Sequence, residues 1–137
     1  MKIALLIQYL GTNFHGWQKQ PNAVSVQDVI EKALHDLLSE EIALTGCGRT
    51  DTGVHAEQYF AHFDSASVLR GRNLLYRLNT YLPKDIAVQG LFEVANAAHA
   101  RFDALSRTYE YRISLIKDPF TTNSTLQIKY QKINVSL

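Results

Sequence analysis

The densest chemistry in the sequence lies in Gly46-Cys47-Gly48-Arg49-Thr50-Asp51-Thr52-Gly53-Val54-His55. Glycines this closely spaced interrupt any helix or strand, so the segment reads as a loop. Apolar runs flank it, Ile42-Ala43-Leu44 before and Tyr59-Phe60-Ala61 after, which makes it a loop between two strands. It presents one carboxylate, Asp51, with Arg49 two residues earlier. A carboxylate beside a cation on a sharp loop can do catalysis; the same Asp can equally close an Asx-turn on its own backbone. Metal chemistry has less support. His55 and His62 are seven residues apart and Cys47 is the sole cysteine, so no tight ligand spacing appears. His15, His55, His62 and His99 are expected in turn or sheet contacts, and His35 on the exposed part of a helix.

The elements that must position this loop follow from periodicity. Residues 2–9 read as a strand with Ile3, Leu5, Ile7 and Tyr9 on one face. Gly11-Thr12-Asn13 ends it as a turn. An irregular aromatic stretch, Phe14-His15-Gly16-Trp17-Gln18, follows, whose rings either plug the core or stack on a base. Ser25 opens a helix, with Asp28 completing an acidic capping box. Val26, Val29, Ile30, Ala33, Leu34, Leu37 and Leu38 form its apolar face. A short strand over 42–45 leads into the Asp51 loop, and a strand over 58–63 leaves it. Ser65 or Ser67 is expected to cap a second helix over 69–81, striped by Leu74, Leu75, Leu78 and Leu82 and stopped by Pro83. Ile86, Val88, Gly90, Phe92 and Val94 alternate as another strand. Residues 107–115 read as the last clear strand, with Tyr109, Tyr111, Ile113 and Leu115 on one face. Leu126, Ile128 and Tyr130 alternate as a candidate edge strand. The order is that of a ferredoxin-like α+β fold: an antiparallel βαββαβ sheet with both helices on one face, plus an added strand. The bare face of such a sheet can serve as a nucleic-acid platform.

Composition sets the outer limits. The 137 residues suit one domain, and 46% hydrophobic with 10% aromatic residues suits a packed core. One cysteine fits a reducing compartment. No apolar run approaches the roughly 20 residues of a membrane span, and a soluble, cytoplasmic protein without a membrane partner is expected. The formal net charge is only +1, so a nucleic-acid partner needs a local patch. Arginines cluster at Arg70, Arg72 and Arg77 and again at Arg101, Arg107 and Arg112, although such clusters also occur on plain solvated faces.

Gly48-Arg49-Thr50-Asp51-Thr52-Gly53-Val54-His55-Ala56 resembles the active-site loop of the TruA family of tRNA pseudouridine synthases. Further blocks agree in order and spacing: Gly11-Thr12-Asn13-Phe14-His15-Gly16-Trp17-Gln18, Ser25-Val26-Gln27, His99-Ala100-Arg101-Phe102 and Arg107-Thr108-Tyr109-Glu110-Tyr111. The resemblance covers residues 1–120, and 121–137 read as a divergent tail. It implies isomerisation of uridine to pseudouridine in the anticodon stem-loop of tRNA, without cofactor or metal. Asp51 then matches the catalytic carboxylate, as nucleophile or stabiliser of charge at C1′, with attack at C1′ or at C6 both open. Arg49 matches its basic partner, which keeps the carboxylate ionised and oriented. Tyr109 matches the tyrosine that packs against the base and helps remove the C5 proton. Arg101 is expected at phosphate, and His55, Trp17 and Gln18 fall in the blocks expected to meet RNA. The base must be flipped out of its stack, at about a few kcal/mol.

Two departures accompany the likeness. Leu10 stands where the family usually carries an acidic residue between the strand's tyrosine and the glycine. The family also carries a second, similar α/β half that closes the cleft and adds a basic group, which this sequence lacks. A lone half exposes apolar surface and a strand edge, so the expectation is a homodimer or larger assembly with little pseudouridine synthesis by the chain alone. Two readings compete. Asp51-Thr52-Gly53 is also the triplet of aspartic proteases, but those place it after an apolar strand in an all-β chain, unlike the helical context here. The serious alternative is a non-catalytic RNA-binding fragment.

Overall fold

The computed structural model describes residues 1–67 and 73–128. The chain divides into two compact units, Met1–Leu105 and a second beginning at Ser106.

Strand β1 (Lys2–Tyr9) lies in the interior of the first unit's sheet. Its burial alternates without a break, and Ile3, Leu5, Ile7 and Tyr9 point into the core. On one side it pairs antiparallel with β3 (Ala56–Asp64), on the other with β4 (Ile86–Val94). The two-residue β2 (Thr45–Gly46) pairs outside β3, giving the order β2-β3-β1-β4. Helix α1 (Val26–Leu38) lays Val26, Ile30, Ala33 and Leu34 on this sheet, and α2 (Leu74–Tyr81) adds Leu74 and Leu78. These side chains share one cluster with the inward residues of β1, β3 and β4, so both helices cover the same face. Burying each large aliphatic side chain contributes about 1.5–3 kcal/mol. This is the expected α+β arrangement of the ferredoxin-like type.

Helix α1 starts where its sequence says. The Ser25 hydroxyl accepts from the Asp28 N–H at 3.1 Å, and the Asp28 carboxylate accepts from the Ser25 N–H at 3.2 Å. It stops at Ser39, which turns left-handed with φ 56°. Helix α2 is capped by Asn73, whose side chain accepts from the Tyr76 N–H, not by Ser65 or Ser67. Those two serines hydrogen-bond the Glu40 carboxylate instead. The expected helical residues Leu69 to Arg72, with Arg70 and Arg72 of the first arginine cluster, lie outside the described residues.

Two strand expectations are corrected, over 42–45 and over 107–115, and the strand expected over 86–94 is present but bulged. The strand expected over 42–45 is replaced by Thr45–Gly46. Ile42 and Leu44 do reach the core, but helix side chains take the strand partner's place. Leu44 donates its N–H to Glu31 and accepts from the Gln27 amide, both at 2.9 Å. In β4 the apolar stripe changes face. Ile7 pairs with Val88 but Leu6 with Gly90, so Gln89 is the extra residue of a bulge. Beyond it Leu91 packs against the core, while the half-exposed Phe92 ring lies over Gly90, where an added Cβ would stand 2.5 Å from the ring.

In the second unit, the strand expected over 107–115 shrinks to β5 (Ile113–Ser114), paired parallel with β6 (Leu126–Gln127). Alternation defines two faces, but a strand persists only with a ladder partner and a face to bury. Tyr109, Tyr111, Ile113 and Leu115 are all exposed. Tyr130, expected in the last strand, lies outside the described residues.

Candidate active site

The Asp51 loop is held at its backbone from several sides. The Cys47 N–H donates to the Phe60 carbonyl at 2.8 Å, and the Gly48 carbonyl accepts from the Tyr59 hydroxyl. The Thr50 carbonyl accepts from the Trp17 N–H, and the Gly53 N–H donates to the Phe14 carbonyl, both at 3.3 Å. Within the loop, the Val54 N–H closes a turn on the Asp51 carbonyl at 3.1 Å. Thr50 is turned inward, its hydroxyl 2.8 Å from that of Tyr9. Its neighbours Arg49 and Asp51 are both exposed. Among the described residues neither of their side chains has a hydrogen bond or ion pair, so the Asp51 carboxylate does not close an Asx-turn.

This framework accounts for the spacing of the second block. An added Cβ on Gly11 would stand 2.0 Å from the Val54 carbonyl oxygen, and one on Gly16 would stand 2.3 Å from that of Thr50. Gly16 also has φ +75°, a conformation that favours glycine. The segment 11–17 therefore lies flat against the Asp51 loop only because it carries glycine at both places. Gly11 donates its N–H to His55 Nδ1 at 2.9 Å. Leu10, in place of the family's acidic residue, is exposed, and its N–H donates to the Asp85 carbonyl at 2.9 Å.

The third block anchors this assembly to α1. The Val26 and Gln27 amides donate to the Gly16 and Trp17 carbonyls at 3.2 and 3.1 Å, so the helix N-terminus binds the loop through its unpaired N–H groups. The buried Gln27 side chain accepts from the Lys19 N–H and donates to the Leu44 carbonyl, both at 2.9 Å. Sequence reasoning quoted Gln27 and Thr50 within matching blocks but gave neither them nor Tyr9 a role at the site. A polar side chain in the first turn of an otherwise apolar helix face was the available signal for Gln27.

Trp17 requires a correction as an RNA contact. It is 1% exposed, its ring centroid 4.3 Å from Tyr59 and 6.3 Å from Tyr9. The indole fills the core beneath the loop, and a base cannot reach its face there. The same burial pushes the Tyr9 phenol up to about 12, against the smaller opposing effect of its Thr50 hydrogen bond. Gln18, next along the chain, is half-buried, as is His55.

Arg101 is exposed in a tight turn. His99 donates its backbone N–H to the Asp103 carboxylate at 2.7 Å, and its Nδ1 accepts from the Arg101 and Phe102 amides, each at 3.2 Å. Its ring stacks on Phe102 at 4.0 Å. Tyr109 belongs to the second unit, 65% exposed in a stretch without regular secondary structure. Asp51, Arg49 and His55 are thus brought together on one loop, with Trp17 beneath it.

Comparison with known proteins adds an independent finding. Residues 5–103 match a family model described as tRNA pseudouridine synthase. A tRNA pseudouridine synthase A from Ruminiclostridium cellulolyticum is 49% identical over 82% of this chain and 46% of its own length. One from Bacteroides thetaiotaomicron is 42% identical over 95% of the chain and 50% of its own. One from a Nostoc species is 41% identical over 99% and 49%. The chain spans about half the length of the curated relatives it matches.

Proposed function

Because the chain belongs to the tRNA pseudouridine synthase family, we propose that it carries the carboxylate-bearing side of a cleft that isomerises uridine in the anticodon stem-loop of tRNA. Asp51 is the catalytic carboxylate, and one observation carries that assignment. It stands exposed and unbonded on a loop whose neighbouring backbone groups are tied down. The anchored backbone fixes where the carboxylate stands, and its oxygens are open to meet positive charge as it develops at C1′, for electrostatic or nucleophilic catalysis. Arg49, flanking the inward Thr50 and not paired with Asp51, holds the flipped nucleotide. Arg101 meets phosphate, Tyr109 packs on the base, and His55 acts through the loop it braces. The C1′–N1 bond breaks, the uracil turns, and C5 bonds to C1′ as its proton leaves.

The test is Asp51→Asn, placed in this chain and in a chimera that joins residues 1–105 to the remaining sequence of a full-length relative. Pseudouridine is read by mass spectrometry in unmodified tRNA. The chimera should lose the reaction with its thermal midpoint nearly unchanged; turnover near that of the parent removes Asp51 from the mechanism. A parent chimera that binds tRNA and makes no pseudouridine favours the alternative, a non-catalytic RNA-binding module. The 137-residue chain alone is proposed to turn over little and to form a homodimer. Exposed Phe60 and Phe92 and the outer edge of β4 support self-association. A cytoplasmic location is proposed from the tRNA substrate and the lone cysteine.

A further inference from the structure

His62 lies in β3 between the inward-facing Ala61 and Phe63, on the sheet face away from the helices, and is nevertheless only 7% exposed. The connector that follows β4 covers it. His62 Nδ1 accepts from the Ala100 N–H at 3.0 Å, and its ring meets the His99 ring edge-on at 4.8 Å. Lys2 of β1 holds the same connector a few residues earlier, donating to the Asn96 and Ala98 carbonyls at 2.8 and 3.0 Å. Ala100 immediately precedes Arg101, so the imidazole pins the turn at the residue next to the guanidinium.

We propose that His62 is a positioning residue for tRNA binding: its neutral imidazole, accepting at Nδ1, holds the His99–Asp103 turn so that Arg101 faces phosphate. The inference rests on the reading of Arg101 as a phosphate contact. A nitrogen that accepts carries no proton, so the His62 proton is on Nε2. A proton gained at Nδ1 turns the acceptor into a donor and breaks the Ala100 bond. The surroundings oppose that gain. Burial, then Lys2 on β1 and His99 on the connector, hold His62 below the ordinary 6.5, with only Asp64 of its own strand acting the other way.

Two variants of the full 137-residue chain separate this role from simple packing. His62→Phe keeps the volume and removes the acceptor; His62→Asn keeps an acceptor near the Nδ1 position and cannot titrate. Binding of an unmodified tRNA transcript is read by fluorescence anisotropy at neutral pH and low salt. His62→Phe is expected to weaken binding about five- to tenfold, the loss of roughly one contact, and to add little to Arg101→Ala. His62→Asn is expected to bind like wild type. The Ala100 amide resonance should follow the His62 titration in wild type and stay flat in His62→Asn, a readout that does not require His62→Phe to fold. An Ala100 amide indifferent to His62, or His62→Phe binding like wild type while Arg101→Ala binds weakly, overturns the proposal. Unchanged binding in both His62→Phe and Arg101→Ala instead removes Arg101 from the RNA contact, and this role for His62 falls with that premise.

Discussion

Tyr9 is a core side chain that reaches the candidate site from beneath. Its hydroxyl meets Thr50, the residue between Arg49 and Asp51. Tyr9→Phe keeps the ring packing and removes this bond, at a cost of about 1 kcal/mol. Chemical denaturation should register that loss, with the larger effect on turnover of an active chimera, since freeing Thr50 frees the groups on either side. The phenol also sets an alkaline limit. The unfolded chain ionises Tyr9 near its ordinary 10, the folded chain at about 12. The folded state therefore binds more protons between these values, and stability falls as pH rises through that window, by about 2–3 kcal/mol. Unfolding followed from pH 9 to 12 in wild type and Tyr9→Phe should show this loss only in wild type. At this scale, much was legible in the sequence. The loop that carries Asp51 could be read because glycine, aspartate and arginine sit close together in the chain. Trp17 could not be assigned, because whether a loop indole turns in or out depends on rings from Tyr9 and Tyr59 that the fold, not the local sequence, brings to it. His62 was legible only as a histidine in a strand.

Elements were read well where one period and one cap decided them. Helix α1 has both, and its observed start is the one its capping box dictates. Ser25→Ala should cost about 1 kcal/mol; it also loosens the amides that hold Gly16 and Trp17, so activity of a chimera should drop further than the change in thermal midpoint implies. Gly16→Ala tests the loop contact more directly. The left-handed conformation alone costs about 1–2 kcal/mol for alanine, and the new methyl would collide with the Thr50 carbonyl. Reduced stability together with lost turnover is expected, and a fully active, equally stable Gly16→Ala protein would show that the two loops can separate without consequence. Elements were misread where long-range partners decided them. Residues 42–44 have strand composition but bond to side chains of α1. The stripe of β4 breaks at Gln89, an insertion visible only in the pairing. Residues 107–112 alternate well and have no ladder to join among the described residues.

For the molecule as a whole, a net charge of +1 leaves RNA affinity to local groups. Arg101→Ala should make the salt dependence of tRNA binding shallower by about one unit of log–log slope, the signature of one lost phosphate contact. An unchanged slope would make this arginine structural. Sedimentation of the 137-residue chain should show a dimer or larger species, and a monomer at all concentrations would end that proposal.

The interior place of β1 in the sheet also has a consequence in time. The strand is synthesised before both of its neighbours, which end at Asp64 and Val94. At about 5–20 residues per second a nascent chain takes several seconds to reach the second of them. Until then the segment Lys2–Tyr9, apolar on alternate positions and free of proline and glycine, keeps at least one edge without its native partner, an edge of the kind that recruits other chains. Folding of this protein therefore includes an interval in which pairing of residues 2–9 with their own later strands competes with their capture by other chains.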